Sequence, residues 1–338
     1  MAYITLNKKH FFNNLDIIAQ QSKGKDKIAL VLKDNAYGHG LLEVATMAEE
    51  YGIQKAVVRS LAEAKVIEKF FEYILVLADK PDTFNPKIRY TINDLDAIAD
   101  FPKKTKVELK VNTGMNRNGI EMDEVDKAFE LIKKYDLDLE AVFTHHSCAD
   151  EELSIFEEQN RNFSHVKDRV KSLQKEYEIE HLRLHSCNSA ALFRTKDFSE
   201  DMARVGIAAY GCLELPESWS VEQLQPILSL YANKISSRRV ESGGAVGYGA
   251  SYVVQKALLI GNYDFGYGDG FLRSCSNVYE TPEGVEIVGR ISMDNSSFKT
   301  TAQELLIFDD ARSIAKVAGT ISYEILTSLK AHLKRVIV

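Results

Sequence analysis

Eight short β-branched or apolar runs recur along the first part of the chain: Ile28–Leu32, Ala56–Val58, Tyr73–Leu77, Tyr90–Ile92, Val107–Val111, Leu139–Thr144, Leu182–His185 and Met202–Val205. Each has the length of a strand. Between them, Gly40–Tyr51, Leu61–Phe70, Asp123–Tyr135 and Leu153–Tyr177 place apolar residues three and four apart among charges, the spacing of an amphipathic helix. Strand and helix alternating eight times predict an α/β fold, a closed parallel (β/α)8 barrel of the TIM type, with a doubly wound sheet as the alternative.

The pattern changes near Pro216-Glu217-Ser218-Trp219-Ser220, after which strand-like runs are separated by glycine turns rather than long helices. A division into a barrel over 7–217 and a mainly β domain over 218–338 follows. In the second part Ala257–Asn262, Val278–Glu280 and Val285–Ile291 read as strands, with Thr281-Pro282-Glu283-Gly284 a hairpin turn between the last two. Ile321–Val338 predicts a helix and a terminal strand, and the strand-like Ala2–Leu6 is expected to join this β-domain.

Composition narrows the function. The 338 residues include 42 Lys+Arg against 49 Asp+Glu, a net charge of −7, and the isoelectric point is near 5.7. No basic excess is present to hold nucleic acid or an anionic membrane surface. No apolar run approaches the ~20 residues of a membrane span, and the polar N-terminus does not resemble a signal peptide. Four cysteines, Cys148, Cys187, Cys212 and Cys275, include no C-x-x-C pair, which points to a reducing cytoplasm. His10, His165, His181 and His332 form no ligand-spaced cluster, so no metal is predicted.

The sharpest chemical signal is Val31-Leu32-Lys33-Asp34-Asn35-Ala36-Tyr37-Gly38-His39-Gly40, at the C-terminal end of the first predicted strand, where barrel active sites open. Alone, Lys33 reads as a solvated lysine closing a strand; partly desolvated there, its amine is suited to a Schiff base with a carbonyl. This segment resembles the pyridoxal-phosphate lysine motif of the alanine racemases. Further segments of that family recur in order over the whole chain: Thr113-Gly114-Met115-Asn116-Arg117, Thr144-His145-His146, His185 with Asn188-Ser189, Arg204-Val205-Gly206-Ile207, Gly247-Tyr248-Gly249, Gly266-Tyr267-Gly268-Asp269-Gly270, Gly289-Arg290-Ile291-Ser292-Met293-Asp294 and Ile321-Ser322-Tyr323-Glu324.

The resemblance implies a barrel with a C-terminal β-domain and assigns roles residue by residue. Lys33 would carry pyridoxal 5'-phosphate and serve as one base, with Tyr248 of a neighbouring subunit as the other. Removing a proton on one face of the α-carbon and returning it on the other asks for two such groups. Tyr37, Asn188, Ser189, Gly206, Ile207 and Tyr323 would bind the cofactor, chiefly its phosphate. A phosphate needs backbone N–H groups and hydroxyls, and barrels often supply them after strands seven and eight. His145 would bond the Tyr248 phenol, Arg204 the pyridine nitrogen, and His185 would support Arg204. Because a guanidinium has no acceptor, Arg204 would disfavour a protonated pyridine and restrain side reactions.

Arg117, Met293 and Asp294 resemble substrate-binding residues that confine a small amino acid. Lys110 matches a lysine that some relatives carbamylate, and Asp150, Tyr267, Arg273 and Arg290 match an entry corridor shared across a dimer. Three departures stand out: Asp34 in place of a small residue, Asn112 in place of an aspartate, and a tail, Lys334-Arg335-Val336-Ile337-Val338, without the usual Pro-Arg. The expected function is an alanine racemase, a cytoplasmic homodimeric isomerase interconverting L- and D-alanine, with D-alanine passing to peptidoglycan precursors. Competing expectations are a broader small-amino-acid racemase acting on serine, a related decarboxylase, and a non-catalytic pyridoxal-phosphate-binding protein.

Overall fold

A computed structural model describes residues 1–219 and 223–338; Ser220, at the end of the segment where the pattern changes, lies outside the described residues. The chain opens with β1 (Tyr3–Leu6), which belongs to the second half of the molecule rather than the first. Eight strands then follow: β2 (Ile28–Val31), β3 (Lys55–Val58), β4 (Tyr73–Val76), β5 (Ile88–Ile92), β6 (Lys106–Lys110), β7 (Asp138–Phe143), β8 (Arg183–His185) and β9 (Ala203–Val205). They overlap all eight expected runs.

The order β8-β7-β6-β5-β4-β3-β2-β9 is what separates a barrel from the doubly wound alternative, because the last strand returns to pair with the first in parallel, Ile28 opposite Ala203. Closure is nearly complete. At the β8/β9 seam the Arg204 N–H donates to the Cys187 carbonyl at 2.9 Å, and the Asp201 carboxylate accepts from the Leu184 N–H at 2.8 Å. The expected helices surround the barrel, including Leu41–Tyr51, capped at its C-terminus by Gly52, and the 22-residue helix Ile155–Glu176. In Leu61–Ile67 a capping box of Ser60 and Glu63 satisfies otherwise unpaired N–H groups at the start.

The second part comprises β10 (Leu228–Val240), β11 (Ala245–Val246), β12 (Tyr252–Val253), β13 (Leu258–Tyr263), β14 (Ser296–Phe298), β15 (Glu304–Phe308) and β16 (Lys334–Ile337). β1 inserts between β10, antiparallel, and β16, parallel, so both ends of the chain lie in one sheet. The helix Ser322–Ser328 and the terminal strand occur as expected. The hairpin expected over Val278–Ile291 does not: the Thr281–Gly284 turn forms, but pairing shrinks to isolated bridges, Glu280 with Glu286 and Ile287 with Phe298. Thr281, Ile287, Val288 and Ile291 are buried by packing rather than by a regular ladder. The 13-residue β10, absent from the expected strands, organises the domain by pairing with β1, β13 and β15.

Candidate active site at the mouth of the barrel

Lys33 lies two residues beyond the end of β2. The four residues after it, Asp34, Asn35, Ala36 and Tyr37, all have positive φ, 54°, 57°, 52° and 49°. Left-handed backbone costs a non-glycine residue about 1–2 kcal/mol, so a run of four persists only where its surroundings hold it. The Glu63 carboxylate accepts from the Asp34 N–H at 2.7 Å, and the Asn35 side-chain oxygen accepts from the Leu41 N–H at 2.9 Å. Gly38 ends the turn at φ 77°; a Cβ there would sit 1.9 Å from the Leu326 carbonyl oxygen. The turn brings the Tyr37 ring within 5.9 Å of the Lys33 amine. The unusual acid, Asp34, is turned toward the rim, where it pairs with Arg59 at 3.2 Å.

A set of hydroxyls and amides lines the same cavity as Lys33. Ser189 Oγ accepts from the N–H groups of Gly206 and Ala208 at 3.1 and 3.3 Å, while the Asn188 side chain caps the following turn by accepting from the Ala191 N–H. Tyr37 and Tyr323 approach with ring centroids 5.6 Å apart, and burial pushes both phenols up from their ordinary pKa, so they remain hydrogen-bond donors. A Cβ on Gly206 would lie 3.0 Å from the Tyr37 hydroxyl oxygen and closer still to its ring, so only glycine leaves this cradle open.

Arg204, on β9, is buried. Its Nη2 donates to the carbonyls of Thr144 at 2.7 Å and Ser186 at 3.0 Å and lies 3.4 Å from His145 Nδ1, and its Nη1 meets His185 Nδ1. Burial, with the Arg204 charge next, holds His145 well below the usual imidazole range. Lys110 is also buried, and desolvation followed by the charges of Arg117, Arg204 and Lys33 brings its amine down to about 8. Asn112 shapes the loop that carries Arg117, its side-chain oxygen accepting from the N–H groups of Gly114 and Asn116 at 3.1 and 3.0 Å.

These groups share one cavity of about 840 Å³, lined by Lys33, Tyr37, Lys110, Arg117, Arg204 and Tyr323 among others, with His145, Asp150, Asn188, Ser189, Gly206 and Ile207 completing its wall. His185 sits behind it, wholly buried. Tyr248, Tyr267, Arg273, Arg290, Met293 and Asp294 do not line this cavity. They lie on the β-domain, where Tyr248, Met293 and Tyr267 are 68, 56 and 43 % exposed. Their loops are tied together: the Tyr267 N–H donates to the Ser292 carbonyl at 3.0 Å, the Gly268 N–H to the Met293 carbonyl at 2.8 Å, and Arg290 reaches the backbone of Gly249.

One functional candidate, Glu108, belongs to none of the motifs above. Its mark in the sequence is a run, Lys106-Val107-Glu108-Leu109-Lys110-Val111, in which charges alternate with apolar residues on a barrel strand.

Residues 6–214 match the family model described as alanine racemase, N-terminal domain, and residues 227–337 the one described as alanine racemase, C-terminal domain. An alanine racemase of Nitratiruptor sp. is 44% identical over 337 residues, covering 99% of both chains. Among solved structures, an alanine racemase of Clostridium difficile superposes with a TM-score of 0.90 at 28% identity, covering 100% of this chain and 95% of that one. The fold is shared as well by an alanine racemase of Bartonella henselae described with covalently bound pyridoxal phosphate, at a TM-score of 0.84 and 23% identity over 100% of this chain and 99% of that one.

Proposed function

The chain belongs to the alanine racemase family, whose activity is the interconversion of L- and D-alanine, and on that premise we propose how its own residues divide the work. The observation that carries the proposal is that Lys33, a hydroxyl-and-amide cradle and a buried guanidinium line one cavity. The donor set fits pyridoxal phosphate: the hydroxyls of Tyr37, Ser189 and Tyr323 and the amide of Ile207 match a phosphate, the open space at Gly206 admits one, and the Lys33 amine matches an aldehyde. Asn188 would keep Ser189 in place. When bound, the cofactor supplies an electron-withdrawing ring conjugated with the amino acid, which makes the α-proton removable.

Lys33 Nζ then takes or returns the α-proton on its own face. Arg204 would offer a permanently protonated group to the pyridine nitrogen and, lacking an acceptor, would keep that nitrogen unprotonated. Arg117 offsets the substrate carboxylate, and Lys110, with its lowered basicity, is the amine suited to carbamylation beside it. Proton return on the opposite face asks for a second base. Tyr248 fills that role from a second copy, with His145 receiving its phenol, Met293 and Asp294 closing over the substrate, and Asp150, Tyr267, Arg273 and Arg290 forming the entrance. The exposure of Tyr248, Met293 and Tyr267 as one tied patch supports such a homodimer.

The division into a barrel over 7–217 and a β-domain over 218–338, completed by residues 1–6, accounts for β1 pairing with β10 and β16. Work in a reducing cytoplasm agrees with four free cysteines. Among the described residues no helix is long and apolar enough to cross a membrane. The test is incubation of the pyridoxal-phosphate-loaded protein with alanine in deuterated water, followed by chiral analysis and by borohydride reduction and peptide mapping. Deuterium at the α-carbon with inversion, and label on Lys33, are expected. Absence of exchange overturns the reading, and label on Lys110 overturns the assignment.

A further inference from the structure

Strands buried on both faces are ordinarily apolar throughout, yet β6 sets Lys106, Glu108 and Lys110 on one face and Val107 and Leu109 on the other. The charged face meets charged residues of neighbouring strands. Arg183 Nη2 donates to Glu108 Oε1 at 2.9 Å and to Glu140 Oε2 at 3.0 Å, and Arg89 Nε donates to Glu140 Oε2 at 2.8 Å. Glu108 is completely buried; its Oε1 also accepts from the Tyr73 hydroxyl at 2.5 Å, and its Oε2 lies 3.0 Å from His185 Nε2. The other nitrogen of that imidazole, Nδ1, faces Arg204 Nη1.

Only one placement of protons satisfies this row. A guanidinium nitrogen can only donate, so His185 Nδ1 must be bare. A carboxylate can only accept, so His185 Nε2 must carry the ring's proton. A doubly protonated ring would set N–H against N–H at Arg204; the opposite tautomer would do the same and also leave Glu108 Oε2 facing a lone pair. The Phe143 ring, stacked on His185 at 4.8 Å with planes 11° apart, prevents the imidazole from turning out of the row. Titration tendencies agree. Burial alone would raise Glu108, but His185, Arg183 and Tyr73 bring it down to about 2, while burial holds His185 below its ordinary value.

We propose that Glu108 is a positioning residue for the racemase reaction: it holds His185 in the Nε2–H tautomer, so that Nδ1 accepts from Arg204 and the guanidinium keeps its orientation at the cofactor ring. The proposal rests on the reading of Arg204 as the partner of the pyridine nitrogen. A ring nitrogen made more electron-rich by a carboxylate on its far side is also the stronger acceptor, as in other carboxylate–histidine pairs.

The test uses the full chain labelled with ¹⁵N-histidine, first without added cofactor, the His185 signals being assigned by their loss in His185→Gln. A neutral ring protonated at Nε2 across about pH 6–8 is expected; an Nδ1–H or doubly protonated ring overturns the proposal. In Glu108→Gln the amide oxygen stays with the Tyr73 and Arg183 donors and the NH2 faces Nε2, so the tautomer should move toward Nδ1–H and displace Arg204 from that nitrogen. With pyridoxal phosphate bound, kcat for alanine should fall about 10–100-fold, with KM and cofactor content little changed. Tyr73→Phe, which removes a neighbouring partner but leaves the carboxylate, should keep the wild-type tautomer. A Glu108→Gln chain with the wild-type tautomer, or a Tyr73→Phe chain that loses it, overturns the proposal. If Glu108→Gln does not fold, the wild-type and Tyr73→Phe measurements decide. Failure to bind pyridoxal phosphate would remove the functional reading while leaving the tautomer measurement on the unloaded chain intact.

Discussion

Arg335, on the last strand, donates from Nε and Nη2 to a single acceptor, the carbonyl oxygen of Gly38, at 3.1 and 2.8 Å. That carbonyl closes the left-handed turn beginning just after Lys33, so the tail without its usual Pro-Arg still delivers an arginine to the loop that follows β2. Burial lowers the guanidinium pKa, yet five carbonyl contacts, with Gly38, Lys330, Ala331 and Leu333, surround it with acceptors.

Arg335→Ala should therefore destabilise the fold by about 1.5–3 kcal/mol, the range for hydrogen bonds to a charged group. It should also weaken pyridoxal-phosphate binding by freeing the turn. Urea midpoints and a cofactor titration followed by absorbance measure the two effects. Unchanged cofactor affinity would show that the turn holds without Arg335.

Gly206→Ala should separate the phosphate from the rest of the cofactor. The added Cβ would crowd the Tyr37 ring at 2.9 Å, so affinity for pyridoxal phosphate should fall by roughly tenfold, about 1.4 kcal/mol, and affinity for pyridoxal much less. Equal losses for both ligands would place the phosphate elsewhere.

Mixing Lys33→Ala with Tyr248→Phe chains tests the shared site. Each is expected to be inactive alone. Random exchange makes about half the dimers mixed, and one site in each mixed dimer is intact, so activity should return to roughly one quarter of wild type. Demonstrated exchange with no recovery would mean that both groups act within one chain.

Stability should fall steeply on mild acidification. Burial lowers His39 and His146 from 6.5 to about 4, with Asn160 and Glu200 opposing and Arg204 assisting at His146, and backbone carbonyls of Ala36 and Tyr37 opposing at His39. In each case the unfolded chain binds the extra proton first, so the contribution is complete above pH 6.5 and is lost as pH falls toward 4. His39→Gln with His146→Gln should flatten the fall in urea midpoint between about pH 7 and 5. A slope as steep as wild type would assign acid sensitivity to other groups.

The barrel was legible because its strands are buried on both faces, and a continuous apolar run as short as Ile28–Val31 or Tyr73–Val76 suits a buried strand better than a helix. β10 was not, since its burial alternates over Leu228–Ala232 and then gives way to the exposed Ser236–Arg239. Val278–Ile291 misled in the opposite direction: Thr281, Ile287, Val288 and Ile291 are buried against irregular backbone, while Val278 is exposed. For the site, Lys33, Ser189 and Gly206 stand at strand ends within recognisable segments. Glu108 has no such label, and its meaning depends on His185, 77 residues away. The exposed position of Tyr248 follows from packing that no local pattern records.

The contact between Gly38 and Arg335 also sets an order of events at the ribosome. Lys33 leaves the exit tunnel early, but the arginine that fastens its turn lies 297 residues beyond Gly38, and β1 must wait for β10 and β16 before it has a sheet to enter. At roughly 5–20 residues per second, the interval lasts tens of seconds. Throughout it Lys33 stands on the growing chain without the finished turn that presents it, so the loop takes its final form late, only after Arg335 has been made and β16 has paired with β1.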